Sequence, residues 1–158
     1  MPPLKSVVIP LALLSAALMA PAVWAAEAAL ITATPGELEW TAAPSVGPGA
    51  MIAVIEGDLK AAGPFTFRLK VPANSKIGVH THPVVERVTV LSGTFYFATG
   101  DKFDAAQAKA YQPGDTLIIP AGMPMYAATK DQEVVVQLHG TGPWGITYPD
   151  PADDPRNQ

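Results

Sequence analysis

The sequence predicts one all-β domain, a sandwich or barrel, and three observations carry that prediction. Short apolar or alternating runs recur with turn signals every 6 to 12 residues. The run PFTFRLKVP sets Phe65, Phe67 and Leu69 against Thr66, Arg68 and Lys70, the period of a half-exposed strand. Glycine and proline are frequent, 13 and 17 of 158 residues, which suits many turns and leaves almost no helical periodicity.

The elements follow in order. Residues 26–50 read as an N-terminal arm broken by proline and glycine, with one short strand near 38–41. MIAVIEGD (51–58) is a strand that ends at Gly57-Asp58, and 64–72 is the alternating strand above. Asn74 to Lys76 is a turn. A strand bearing His80 and His82 comes next, then a strand over 84–91 that Ser92-Gly93 closes, then TFYFATGD (94–101). Residues 103–115 read as a turn with one short helical piece. TLIIP (116–120), MYAAT (125–129) and EVVVQLHG (133–140) complete the strands, so the barrel spans 51–148. The ending PDPADDPRNQ (149–158) is polar and proline-rich, with little to bury, and is expected to be extended and partly mobile.

The first 25 residues are expected to lie outside this fold. Lys5, the apolar run VVIPLALLSAALMA and the small residues of PAVWAAEA have the order of a secretory signal peptide, with cleavage after Ala25. The run is short for a membrane span of about 20 residues and contains Pro10 and Pro21, so no stable span is expected after cleavage. Export to the periplasm or medium is the expectation. A net charge of -4 without a basic cluster argues against nucleic acid as a partner. The absence of cysteine excludes disulfides, zinc ribbons and a thiol nucleophile.

Chemistry concentrates in GVHTHPVVERVTVLSG (78–93). His80 and His82 share one side of a strand, and Glu86 has the same parity. Glu86 also shares parity with Val88 and Val90, which places a carboxylate on a core-facing side. That is costly unless the group is paired or bound to a cation. Two imidazoles and a carboxylate at one point make a metal site. The plainer alternative is a polar strand end, with Thr81 between the histidines and Pro83 after them.

These residues resemble the cupin superfamily. Its first motif is matched by His80, His82, Glu86 and Gly93, with three residues before the glutamate and six after it. Asn74 holds the place of the usual leading glycine, and Gly78 lies closer. Its second motif is matched by Gly114, Pro120 and Gly122, while Met125 stands where a histidine is expected. The match is strong over about 79–125. Together with HGTGPW and ITYPDPADDP, the chain looks like the small exported single-domain cupins of bacteria. The resemblance implies a jelly-roll barrel and a divalent metal (Fe, Mn, Ni, Zn or Cu) held by His80, His82 and Glu86. It also implies pairing into homodimers through an N-terminal strand, here the arm at 30–42. It does not choose an activity, because cupins include dioxygenases, isomerases, decarboxylases, storage proteins and binding domains.

Several remaining candidates keep more than one reading. Met125 is either an apolar filler of the barrel wall or a candidate fourth ligand whose soft sulfur favours copper. Met123, two residues earlier, shares its side in an extended chain. Gln137 and His139 share a face with Val135, and as the more polar face of their strand they are candidate pocket residues. His139 either supplies the missing ligand, shuttles protons, or ends its strand bonded to backbone. Glu86 serves as ligand or as base. Of Phe95, Tyr96 and Phe97, at least one should fill the barrel. Tyr126 should point away from the metal, Arg87 toward solvent, and Trp144 reads as a packing residue near a turn. No Ser-His-Asp arrangement or phosphate-binding glycine loop is present, so any catalysis would be metal-centred, on a small organic ligand in an apolar barrel mouth. No particular catalytic residue is assigned, and a non-catalytic binding or sensing barrel with a degraded metal site is the alternative.

Overall fold

The computed structural model describes residues 29–158, and the expected signal peptide (1–25) lies outside the described residues. Among the described residues, ten strands run in chain order: β1 Thr41–Ala42, β2 Met51–Glu56, β3 Gly63–Val71, β4 Lys76–His80, β5 Glu86–Ser92, β6 Phe95–Thr99, β7 Lys109–Tyr111, β8 Thr116–Ile119, β9 Met125–Ala128 and β10 Val134–Gly142. They form a six-stranded sheet, β1-β2-β3-β10-β5-β8, and a four-stranded sheet, β4-β9-β6-β7, with antiparallel pairing throughout.

Alternation decides what fills the space between the sheets. In β3 the residues Phe65, Phe67, Leu69 and Val71 are buried while Thr66, Arg68 and Lys70 are half-buried on the other face. Register then stacks apolar rows across the large sheet. Phe67 lies opposite Leu138, and Leu138 opposite Val88; Leu69 lies opposite Val136, and Val136 opposite Val90. The small sheet answers with Phe95, Phe97 and Ala127. Directly opposed side chains on one face are the units that hold such sheets together.

Two backbone positions shape the ends of this ladder. Asn74 has φ +57° in the turn before β4, a conformation that glycine takes freely and asparagine tolerates. Gly93, with φ +73°, turns β5 into β6, and a Cβ there would run into the Glu133 carbonyl oxygen. Gly93→Ala is therefore expected to destabilise the fold by about 2 kcal/mol, from a left-handed backbone plus a backbone clash. An unchanged urea midpoint would refute that account.

Three expectations need correction. The arm's strand is at Thr41–Ala42 rather than 38–41, after a 3₁₀ turn at Pro35–Glu37, and it pairs with β2 of its own chain. Residues 103–115 contain no helix; they hold the edge strand β7, too short to show a periodicity. The tail is not simply extended. Pro151–Asp153 and Pro155–Asn157 are 3₁₀ turns, each opened by an aspartate whose side chain accepts from the backbone two residues on. Asp153 reaches Lys76 at 3.3 Å and accepts from the Val79 N–H, which anchors the tail along β4.

Candidate functional site

β4 delivers its histidine to the interior by an irregularity. Ile77 pairs with Ala127 and His80 with Met125, so the register shifts between Ile77 and His80. That extra residue lets Ile77 and His80, of opposite parity, both face the barrel. His82 follows on the segment bridged by Thr81 and Thr147. The Gly122 N–H donates to the His82 carbonyl, which ties the loop before β9 to the histidine segment. Glu86 enters from the large sheet opposite Ile119, on the inner face of β5 with Val88 and Val90.

His80, His82, Glu86 and Met125 line one interior cavity together with Leu69, Ile77, Phe95, Phe97 and Leu138. His80, His82 and Glu86 are buried, and Glu86 is only 3% exposed. The free space amounts to about 40 Å³. About 10–15 Å³ is enough for one water, so the cavity accepts a few heavy atoms.

Hydrogen bonds orient each polar group. His80 Nδ1 lies 2.7 Å from the Gly78 carbonyl oxygen, and His82 Nδ1 lies 2.6 Å from that of Gly145. A carbonyl can only accept, so both Nδ1 atoms carry the proton. In a neutral ring Nε2 is then a bare lone pair, the tautomer a metal needs, held by the kind of second contact that metal-binding histidines have. The Trp144 indole N–H donates to Glu86 Oε1 at 2.6 Å, and its ring stacks on His82 with centroids 5.3 Å apart. The other carboxyl oxygen, Oε2, faces His82 Nε2 at 3.5 Å.

Burial sets the electrostatics. It pulls His80 down to about 4, helped by His82 and opposed by the bond to Gly78. It pushes the Glu86 carboxyl above its ordinary value, against the pull of His82 and the Trp144 N–H. Each group is thus driven toward its neutral form in the absence of a cation.

The donor chemistry fits a metal ion. Two donors each about 2.1 Å from a tetrahedral ion stand about 3.4 Å apart, which matches the His82–Glu86 separation of 3.5 Å. Among the described residues, however, no three His, Cys, Asp or Glu side chains form a metal-holding group as they stand. His80 and His82 lie edge to face, with ring centroids 5.0 Å apart.

Other candidates go elsewhere. Gln137 and His139 do not enter the pocket. The inner face of β10 belongs to Val134, Val136 and Leu138, whose burial outweighs the idea that polar residues line the barrel. Gln137 accepts instead from Arg68 Nε at 3.2 Å, and His139 lies opposite Thr66 and Arg87 on the outer face. Met123 packs against the core but is not among the residues that line the cavity. Phe95 and Phe97 point in and Tyr96 out. Tyr126 turns away, its hydroxyl donating to the Asp104 carbonyl.

Trp144 is the functional-site residue that sequence reasoning missed. Its segment follows β10 and folds back over the site, with the Trp144 backbone N–H donating to the Leu59 carbonyl and Thr147 pairing with Thr81. Nothing local in TGPWG announces a contact 58 positions away with Glu86. Trp144→Phe keeps an aromatic ring near His82 but leaves Glu86 Oε1 without its donor. It is expected to cost about 1–3 kcal/mol, read as a lower urea midpoint; an unchanged midpoint would mean this bond contributes nothing net.

Many solved structures share this architecture. The polyketide cyclase RemF of Streptomyces resistomycificus superposes with a TM-score of 0.63 at 15% identity, covering 80% of this chain and 90% of that one. An RmlC-like cupin of Ralstonia eutropha gives 0.59 at 14% identity, covering 78% of each chain. The fold is that of a cupin. The DMSP lyase DddQ of Ruegeria pomeroyi gives 0.57 at 15% identity over 75% of this chain and 71% of that one. No protein-family model matches the sequence, and no curated protein sequence matches it. At these identities the likeness is one of fold, so the cupin barrel is common ground while the chemistry must be argued from the cavity.

Proposed function

We propose that this chain is an exported cupin that binds a metal ion through His80, His82 and Glu86 and takes a small organic ligand beside it. One observation carries the reading. His82 Nε2 and Glu86 Oε2 face each other at 3.5 Å inside an apolar barrel. With Nδ1 committed to Gly145, both facing atoms are lone-pair donors, and burying such a pair requires a proton or a metal ion between them. The separation is long for a hydrogen bond and suits two ligands of one ion.

The chain's own residues would then divide the work. His80 and His82 hold the ion through Nε2, kept in orientation by the Gly78 and Gly145 carbonyls. Trp144 fixes Glu86 and covers His82, which limits water at that side. Ile77, Phe95, Phe97 and Leu138 offer apolar contact to a ligand's carbon atoms. A bound metal ion would polarise a carbonyl or carboxylate oxygen of that ligand. The space available favours a ligand of a few heavy atoms. The export part rests on the sequence of residues 5–25 alone.

The test is metal content. Purified protein loaded separately with Fe, Mn, Ni, Zn and Cu, then desalted, is expected to keep close to one equivalent of at least one of them. Retention of none overturns the proposal. The alternative, a barrel that binds a small molecule without metal, is supported by Met125 in place of the histidine that the cupin motif leads one to expect. Ligand affinity that is unchanged by chelator would select it.

A further inference from the structure

We infer that the ion this site selects is soft and singly charged, copper(I), with the thioether of Met125 joining the imidazoles of His80 and His82. This rests on the metal-site reading above and goes beyond it by naming the ion. Met125 is 2% exposed, lies directly opposite His80 in the β4–β9 register, and lines the same cavity. Its neighbour Tyr126 turns outward and Ala127 inward, so strand alternation places the Met125 side chain on the histidine side.

The chemistry of the wall points the same way. Hard ions such as Mg²⁺, Ca²⁺ and Mn²⁺ seek several oxygen ligands. This cavity offers one carboxylate, and one of its oxygens already accepts from Trp144. The remaining donors are two imidazole nitrogens and a thioether, and thioether sulfur selects copper(I). Charge adds a second reason. The cost of burying an ion rises with the square of its net charge, and most of the wall is aliphatic or aromatic. A singly charged ion beside one carboxylate makes a neutral centre; a divalent ion does not.

The experiment is a pair of competitions on metal-free protein, one with copper(I) held by a chromogenic chelator under reductant and one with zinc(II). Met125→Leu preserves volume and apolarity and removes only the donor. It is expected to weaken copper(I) by about tenfold or more while leaving zinc(II) nearly unchanged, and Met125→His to strengthen zinc(II) by about tenfold. Copper-edge X-ray absorption of the wild-type protein should show one sulfur neighbour at about 2.3 Å, a metal–sulfur distance typical of protein sites, and needs no variant to fold. Copper(I) affinity unchanged in a folded Met125→Leu, or a copper shell without sulfur, overturns the inference while the metal site stands. Retention of no metal at all overturns both.

Discussion

His82→Ala is expected to lower metal affinity by about 100-fold or more, which corresponds to about 2.7 kcal/mol or more. The substitution removes one of two imidazole donors. It also leaves Glu86 Oε2 without the atom that faces it at 3.5 Å and takes away the ring on which Trp144 stacks. The loss falls on both the ion and its surroundings, because Glu86 is 3% exposed and cannot recover its hydration. Isothermal titration with zinc(II) and copper(I) measures it. The rise in melting temperature that added metal gives the wild-type protein should vanish in step, since a ligand of the folded state stabilises only in proportion to its binding. His82→Gln, which keeps a side chain able to donate to Gly145, separates loss of a ligand from loss of packing. Wild-type affinity in both variants would remove His82 from the site.

The second large effect is the acid sensitivity of chelator-treated protein. Burial holds His80 at about 4, below the ordinary 6.5. Between those values the unfolded chain takes up a proton that the folded chain refuses. The stability concerned is therefore complete above about 6.5 and is lost as pH falls toward 4, by about 3 kcal/mol in all. Glu86 works in the opposite sense. Its raised carboxyl keeps a proton that the unfolded chain has released. Its contribution is present below the ordinary 4.5 and is lost as pH rises through the raised value. Metal-free protein should thus lose stability in acid through His80, with Glu86 opposing that trend where the two windows overlap. Bound metal requires deprotonated imidazoles, so its stabilisation grows with pH and fades in acid. Urea midpoints from pH 4 to 8, with and without chelator, test this. The two curves should meet near pH 4 and part above 6. Curves that superimpose throughout would return the histidine pair to a structural role. An acid limb that persists in His80→Leu would mean another group causes it.

The reading of the tail shows a signal present but unused. Asp150-Pro151 and Asp154-Pro155 each place a capping residue before a proline suited to the first turn position, and each opens a 3₁₀ turn. Composition alone suggests an extended, partly mobile end. β7 is a different case: Lys109–Tyr111 has three residues, and its pairing with β6 is what makes it a strand.

The alternation of Phe65, Phe67 and Leu69 determined by itself that the chain makes half-buried strands, because period two is a local property of extended backbone. The spacing of His80, His82 and Glu86 likewise determined which polar groups would be drawn toward the core, since Glu86 travels with Val88 and Val90. Tertiary structure alone decided the rest. Whether the barrel takes the Gln137 face or the Val136 face of β10 depended on the partners in β3 and β5, and apolar burial won because Gln137 found Arg68 outside. Whether Met125 meets His80 depended on a register shift between Ile77 and His80. Whether Glu86 gains a partner depended on Trp144 returning from 58 residues away. Such contacts join segments distant in sequence, and their energy comes from packing and desolvation that exist only after the sheets have closed.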